Sequence, residues 1–385
     1  MKLSLSWIKD FVNIPEDMDM KQLAYDLTMD TVEVEDVEYL ADRFDHMVVG
    51  VIEDIEPHPN ADKLRVCKVD IGDGEIKDIV CGGINLEKGM RVAVSCPGAI
   101  VRWHGEGEPV EIKKSKLRGV ASYGMICASD EIGLGDLFPA SQEAEILDLS
   151  AFDVPAGTTL ADALDLNDVL LEIDNKSMTN RPDLWGHYGI AREIAALYNL
   201  PLAEIKPFET DVQSDFNVEI DDPDRCPRYI GVEMSGVNVK EAPYQMQNRI
   251  WKVGMRPINA LVDITNYVML ATGNPTHAFD ADNISDHIVV RHAAENEKLL
   301  LLNDKELSLC TDDLVITDSE GPVALAGVMG GAKDSILPKT ERVILEVANF
   351  EAAGIRRTAL RYDNRTEASS RYEKAIDPER CDQAL

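Results

Sequence analysis

At 385 residues and 45% hydrophobic composition the chain can bury more than one core, and its size predicts two to four domains. The formal charge of −32, from 70 acidic against 38 basic residues, excludes a surface that wraps nucleic acid throughout, because phosphate contacts need Lys and Arg. One local docking face is still allowed. Charged residues are mixed with Val, Ile and Leu along the whole chain, which argues against wholesale disorder. No apolar run approaches the ~18–20 residues of a membrane helix. Lys9 and Asp10 interrupt the first apolar stretch too early for a signal peptide, so a cytoplasmic protein is expected. The seven cysteines (Cys67, Cys81, Cys96, Cys127, Cys226, Cys310, Cys381) form no C-x-x-C pair, which points to buried or free thiols rather than a disulfide framework or zinc site.

In chain order, Leu5, Ile8, Phe11 and Val12 fall at amphipathic-helix spacing. "DMKQLAYDLTM" reads as a second helix and "TVEVEDVEYL" as an alternating strand. Then "MVVGVIEDIEP", "KLRVCKVDIG", "EIKDIVCGG" and "RVAVSCPG", rich in β-branched residues and separated by DG, GG and PG, predict short strands at about ten-residue spacing, as in a small barrel or sandwich. We place that module at 41–150. Residues 1–40 and 151–200 are expected to form a composite α/β domain; its last helix puts Ile190, Ile194 and Leu197 on one face, with Ser, Thr, Asn and Pro182 as start signals. "PLAEIKPFETDV" reads as a linker. From about 201 to 385, strands ("YIGVEMSGVNV", "HIVVRHA", "LVITD", "RVILEVANF") mix with helices ("APYQMQNRIWKVG", "INALVDITNYVMLAT") as an α+β domain. The ending "ERCDQAL", with neither a terminating Gly nor a linker, suggests truncation on that side.

Positive charge gathers in one place: Lys113, Lys114, Lys116 and Arg118 lie within six residues. Residues 61–120 hold eleven Lys and Arg against nine Asp and Glu, so this stretch is slightly positive in an acidic chain. "KKSKL" is close to a class I synthetase lysine signature, but no HIGH-type motif accompanies it. "GVMGGAK" lacks the spacing of a P-loop. G-x-S-x-G, H-E-x-x-H and a Cys/His nucleophile pattern are all missing, so residues for making an aminoacyl-adenylate are not evident.

The order "HPNADKL", "VCG", "PGA" and "K-LRG…S-GM" resembles the tRNA-binding OB-fold of the EMAP-II type. "TNRPDLWGHYGIAREIAALY" (179–198), "RPINALVDITNYVMLATGNPTHAFD" (256–280) and "RTALRYDNRTEASSRYEKAIDP" (357–378) resemble the β subunit of bacterial phenylalanyl-tRNA synthetase, a family whose chains are roughly twice as long. The resemblance implies a multidomain α+β protein with an inserted β-barrel OB-fold and an α+β editing domain. It also implies a partner α subunit that carries the synthetic site in an α₂β₂ ligase, and tRNA(Phe), ATP and Mg²⁺ as substrates and cofactors. No residue here is assigned to ATP or metal. Carried over position by position, the editing pocket would comprise Arg256, Thr265, Asn266, His277, Ala326, Gly327, Glu346 and Ala348. His277, Thr265 and Asn266 would serve the chemistry, with a positioned water as the attacking group.

The physics suits such a site. Phenylalanine and tyrosine differ by one hydroxyl, and an apolar pocket rejects an added hydroxyl by only roughly 10²-fold. A second pocket can instead demand it, with Glu346 accepting the phenolic hydrogen bond. In the OB-fold, Lys63, Arg65, Arg102, Lys113, Lys114, Lys116 and Arg118 would line the phosphate path, with Trp103 and Tyr123 as platforms for bases. Plainer readings stand beside these. His277 could be a satisfied structural histidine, Glu346 a solvent-facing strand residue, and Asn266 and Asp263 turn braces. Arg356, Arg357 and Arg361 could meet phosphates or pair with acidic neighbours. The rival function is a tRNA-binding or assembly module whose pocket is inactive.

Overall fold

The computed structural model describes residues 1–206 and 216–385, and the linker read at 201–212 falls outside them from residue 207 onward. The chain divides into two compact units: Glu38–Leu170, and Met1–Val37 together with Leu171–Leu385.

The Glu38–Leu170 unit is built on a five-stranded antiparallel sheet. Its order is Met125–Ile126, Arg91–Ser95, Met47–Pro57, Arg65–Asp70, Ile76–Cys81. The long strand Met47–Pro57 pairs with Arg91–Ser95 through its first half and with Arg65–Asp70 through its second, and a register shift between Ile52 and Asp54 bends it between the two. Gly50 is required at this curve, because a Cβ there would lie 2.6 Å from Val94 Cγ2 and 2.7 Å from Val69 Cγ1. The two edges nearly meet. Tyr123 N–H donates to the Asp78 carbonyl (2.8 Å) and Val80 N–H to Ser122 Oγ (3.0 Å), giving an almost closed barrel filled by Ile52, Val69, Ile79, Val92 and Val94.

In the other unit, a three-stranded antiparallel sheet places Arg342–Asn349 between Arg228–Ser235 and Thr276–Asp280. A five-stranded sheet runs Val218–Ile220, Ile288–His292, Leu314–Asp318, Gly321–Leu325, Met329–Gly330, its first pair parallel. Phe279, Val290, Val315, Val323, Ile344, Ala348, Phe350 and Ile355 form one core with these strands. The helix Ala260–Thr272 starts where Asn259 Oδ1 accepts from the N–H groups of Leu261 and Val262, and stops at left-handed Gly273. Glu351 caps Ala352–Arg361 in the same way, and Thr366 with Ser369 forms a capping box on Glu367–Tyr372.

Two local expectations give way. The first helix is a single turn, Leu5–Ile8, after a short strand, and Phe11 and Val12 fall in the turn beyond it, with Val12 bridged to Leu202. Four apolar residues at helical spacing meet the same demand for burial when turn and bridge bring them inward. Pro182 starts a short 3₁₀ turn, Pro182–Leu184, while the helix His187–Tyr198 begins at Gly186 without a side-chain cap. Among the described residues no helix is long and apolar enough to cross a membrane.

Candidate functional site

Register assembles the first candidate site. Glu346 sits on the middle strand, directly opposite Gly231 on one side and His277 on the other, and directly opposed residues share a sheet face. That strand is covered on both faces, so Glu346 is buried at 5% exposure rather than turned to solvent. With Gly327, Met329, Gly330 and Tyr372, Glu346 and His277 line a cavity of about 80 Å³, room for several waters.

The carboxylate is half satisfied. Tyr229 Oη donates to Glu346 Oε2 at 2.9 Å, while Oε1 has no donor among the described residues. Burial pushes the Glu346 carboxyl up to about 7, and the Tyr229 hydrogen bond draws it back toward the usual range. Burial has the opposite effect on His277, whose imidazole falls to about 4 and is neutral at pH 7. The ring meets Phe279 edge-on at 4.6 Å between centroids. A Cβ on Gly330 would stand 2.7 Å from His277 Nε2, so the backbone there approaches the imidazole as only glycine permits. A neutral imidazole beside a cavity can orient water or a ribose hydroxyl through hydrogen bonds, and is a weak store for a proton.

Of the remaining residues of the set, only Gly327 lines the cavity. It sits at φ +65, and a Cβ there would reach Ile355 Cδ1 at 2.8 Å. Ala326 and Ala348 are buried behind the wall, the Ala348 carbonyl 3.1 Å from Tyr372 Oη. Thr265 and Asn266 lie on the helix Ala260–Thr272; the Thr265 hydroxyl donates to the Val262 carbonyl at 2.7 Å, and its own carbonyl accepts from Thr276 Oγ1 at 3.2 Å, next to His277. Asp263 braces the turn before this helix, accepting from Ile258 N–H at 2.8 Å. Arg256 is exposed, apart from the cavity lining. Gly330 and Tyr372, which line the cavity, and Tyr229, which holds Glu346, are residues that sequence reasoning missed. Arg357 and Arg361 both engage Asp312, and Arg361 also contacts Asp313, which accords with the acidic-neighbour reading of that cluster.

Near the cavity wall, Asp334 is 1% exposed and neither carboxylate oxygen has a hydrogen-bond partner. Burial raises it to about 7. A folded-state value above the unfolded one means that ionisation penalises the folded state increasingly as pH climbs from about 4 toward 7. Asp334→Asn should therefore raise the unfolding temperature at pH 8, and the gain should shrink toward zero at pH 4, as followed by thermal denaturation.

In the barrel unit, His58 Nε2 lies 3.1 Å from the Leu117 carbonyl and Asn60 Nδ2 donates to the Arg118 carbonyl at 3.0 Å. These contacts tie the loop carrying Lys63 to the hairpin Ser115–Leu117/Val120–Ser122, whose two-residue turn, Arg118 (φ 45) and Gly119 (φ 95), has the left-handed backbone of a tight hairpin. Lys63, Arg65, Lys116 and Arg118 are all exposed there. Lys113 pairs with Glu111 at 3.1 Å, and Arg102 donates to the Gly107 carbonyl at 2.7 Å. Tyr123 already carries two cations over its ring, Lys114 at 4.9 Å and Lys77 at 5.2 Å, whereas Trp103 is 60% exposed and is the freer stacking surface. Among the described residues no group of three or more His, Cys, Asp or Glu could hold a metal ion.

Comparison with known proteins agrees with this division. Residues 47–158 match the family described as "Putative tRNA binding domain", and residues 225–385 match the B3/4 domain. A barrel of the first kind joined to a B3/4 domain defines the class. A phenylalanine–tRNA ligase beta subunit from Oceanobacillus iheyensis is 40% identical over all of this chain and 47% of its own length, and one from Pectobacterium atrosepticum is 41% identical over 98% and 46%. The chain belongs to the phenylalanine–tRNA ligase β-subunit family, and spans about half the length of the curated relatives it matches. Among solved structures, an N-terminal fragment of the phenylalanyl-tRNA synthetase beta-subunit from Pyrococcus horikoshii is 20% identical, covering 47% of this chain and 56% of its own, with a TM-score of 0.29, too low to bear on the fold.

Proposed function

We propose that the chain is the N-terminal part of a phenylalanine–tRNA ligase β subunit, in which the B3/4 domain hydrolyses tyrosine wrongly esterified to tRNA(Phe) and the barrel is an OB-fold tRNA contact. The observation that carries the hydrolytic reading is the half-satisfied, buried Glu346 beside neutral His277 in one cavity. A tyrosyl ring donates its hydroxyl to the free carboxylate oxygen. A phenylalanyl ring leaves that oxygen dry and without a donor, a penalty of about 1–3 kcal/mol. His277 orients the water or the terminal ribose, and the glycines at 327 and 330 admit the backbone close to the ester. Phenylalanine activation, with ATP and Mg²⁺, is assigned to a partner α subunit in an α₂β₂ cytoplasmic enzyme, on the strength of the β-subunit family to which the chain belongs.

Deacylation of tyrosyl-tRNA(Phe) by the assembled α/β enzyme tests the reading. Hydrolysis that depends on Glu346 supports it, and an enzyme that leaves tyrosyl-tRNA intact reduces the chain to a binding module. The tRNA contact has its own signature. Lys116→Ala with Arg118→Ala should weaken tRNA binding and flatten the plot of log affinity against log salt by about 1.5. Fluorescence anisotropy across a salt series reads the slope, and an unchanged slope removes these two residues from the phosphate path.

A further inference from the structure

We propose that Tyr229 is a positioning residue of this pocket: its hydroxyl occupies Glu346 Oε2 and leaves Oε1 as the one acceptor offered to a guest's ring hydroxyl. The inference rests on the reading of the cavity as a site for tyrosyl esters, and deepens it.

The geometry is a product of strand register. Tyr229 is opposite Ala348, two residues along from the Gly231–Glu346 pair, so it shares a sheet face with Glu346 and meets it on the diagonal. Gly231 has no side chain between them, and its Cβ position is hemmed by Val218 Cγ2 at 3.1 Å. Among the described residues no Lys or Arg pairs with Glu346. The titratable groups around the carboxylate, among the described residues, are Tyr229 and His277 on the flanking strands, Cys226 before the first of those strands, Tyr372 and Cys381 from the C-terminal helices, and Asp334 from the loop after Gly331. None of them is a cation at neutral pH. Among the described residues Tyr229 alone donates a hydrogen bond to the carboxylate, so Tyr229 favours its ionised form against burial.

Selectivity then follows ionisation. An ionised Oε1 rewards a phenol and penalises a bare ring, whereas a protonated acid is neutral and tolerates either. Preference for the hydroxylated ring should therefore grow as pH rises through the titration of Glu346. Removing the Tyr229 hydroxyl should move that rise to higher pH.

Calorimetric titration of this chain with L-tyrosinamide and L-phenylalaninamide, from pH 6 to pH 9, tests the idea in wild type, Tyr229→Phe and Glu346→Gln. Wild type should favour tyrosinamide at least about tenfold at pH 8.5, with the ratio falling through neutrality. Tyr229→Phe keeps the ring and its packing, and its ratio at pH 7 should drop severalfold and recover near pH 9. Asp334→Asn, run alongside, removes a neighbouring carboxylate and should move the rise, if at all, to lower pH, opposite to Tyr229→Phe, which separates the two acids that titrate in this range. An unchanged midpoint in Tyr229→Phe overturns the proposal, as does tighter tyrosinamide binding at every pH, which would make Tyr229 a competitor for the same oxygen. If Glu346→Gln discriminates as wild type does, the cavity reading itself fails and takes this one with it; if only Tyr229→Phe behaves as wild type, the cavity reading survives alone.

Discussion

On the editing function proposed for the B3/4 domain, Glu346→Ala should abolish the distinction between tyrosyl-tRNA and phenylalanyl-tRNA. The lost contact is a hydrogen bond to a charged acceptor, about 1.5–3 kcal/mol, which corresponds to a roughly 10–150-fold fall in the ratio of the two hydrolysis rates. The change acts at both ends of the ratio. Tyrosyl-tRNA loses its partner at Oε1, and phenylalanyl-tRNA no longer faces a buried carboxylate without a donor, so its hydrolysis should rise. A substitution that merely loosened the fold would slow both. His277→Ala, in contrast, should slow hydrolysis of tyrosyl-tRNA by ~10²-fold or more with little change in the ratio, because an imidazole that orients water or ribose acts on either substrate. Steady-state deacylation of both aminoacyl-tRNAs by the two variants reads these patterns. Equal losses on both substrates for Glu346→Ala would rule out the carboxylate as the discriminator.

How much of this was legible in the sequence depends on whether the signal is local. The helix Ala260–Thr272 could be read because Asn259, the apolar run and Gly273 lie within one short stretch. The barrel strands could be read because β-branched runs are punctuated by turn residues every ten positions or so. The burial of Glu346 was a different matter. Flanked by Leu345 and Val347 it alternates like a half-exposed strand residue, and only its place on the middle strand of three, covered on both faces, buries it beside a cavity. Tyr229 left no trace at all. Its partner is 117 residues away in the chain, and the contact depends on a strand register that no local pattern encodes. Thr265 illustrates the converse limit: a motif position names the residue, yet its hydroxyl is taken by the Val262 carbonyl one helical turn back.

The largest stability effect is expected away from the cavity, at Asp313, and it bears on the pocket through packing. Asp313 is fully buried and accepts from Thr358 Oγ1 (2.9 Å), Tyr362 Oη (2.5 Å) and Cys310 N–H (3.0 Å), with Arg361 also in contact. One side chain thus fastens the helix Ala352–Arg361 to the turn that begins the strand Leu314–Asp318. Asp313→Ala strips the acceptor from the buried Thr358 hydroxyl and the Cys310 N–H, and leaves Tyr362 with only the Ser308 carbonyl and Arg361 with only Asp312, which should cost about 2–4 kcal/mol. In a unit of this size that lowers the unfolding temperature by on the order of 10 °C. The same helix brings Ile355 against Gly327 on the cavity wall, so loosening it should also slow deacylation of tyrosyl-tRNA and phenylalanyl-tRNA alike, unlike the opposed changes expected for Glu346→Ala. Asp313→Asn keeps an acceptor for Thr358 or Tyr362 and should recover part of the lost stability. Thermal unfolding of the two variants beside wild type measures this, and an Asp313→Ala chain that melts with wild type would show that Ala352–Arg361 is held by its apolar face alone.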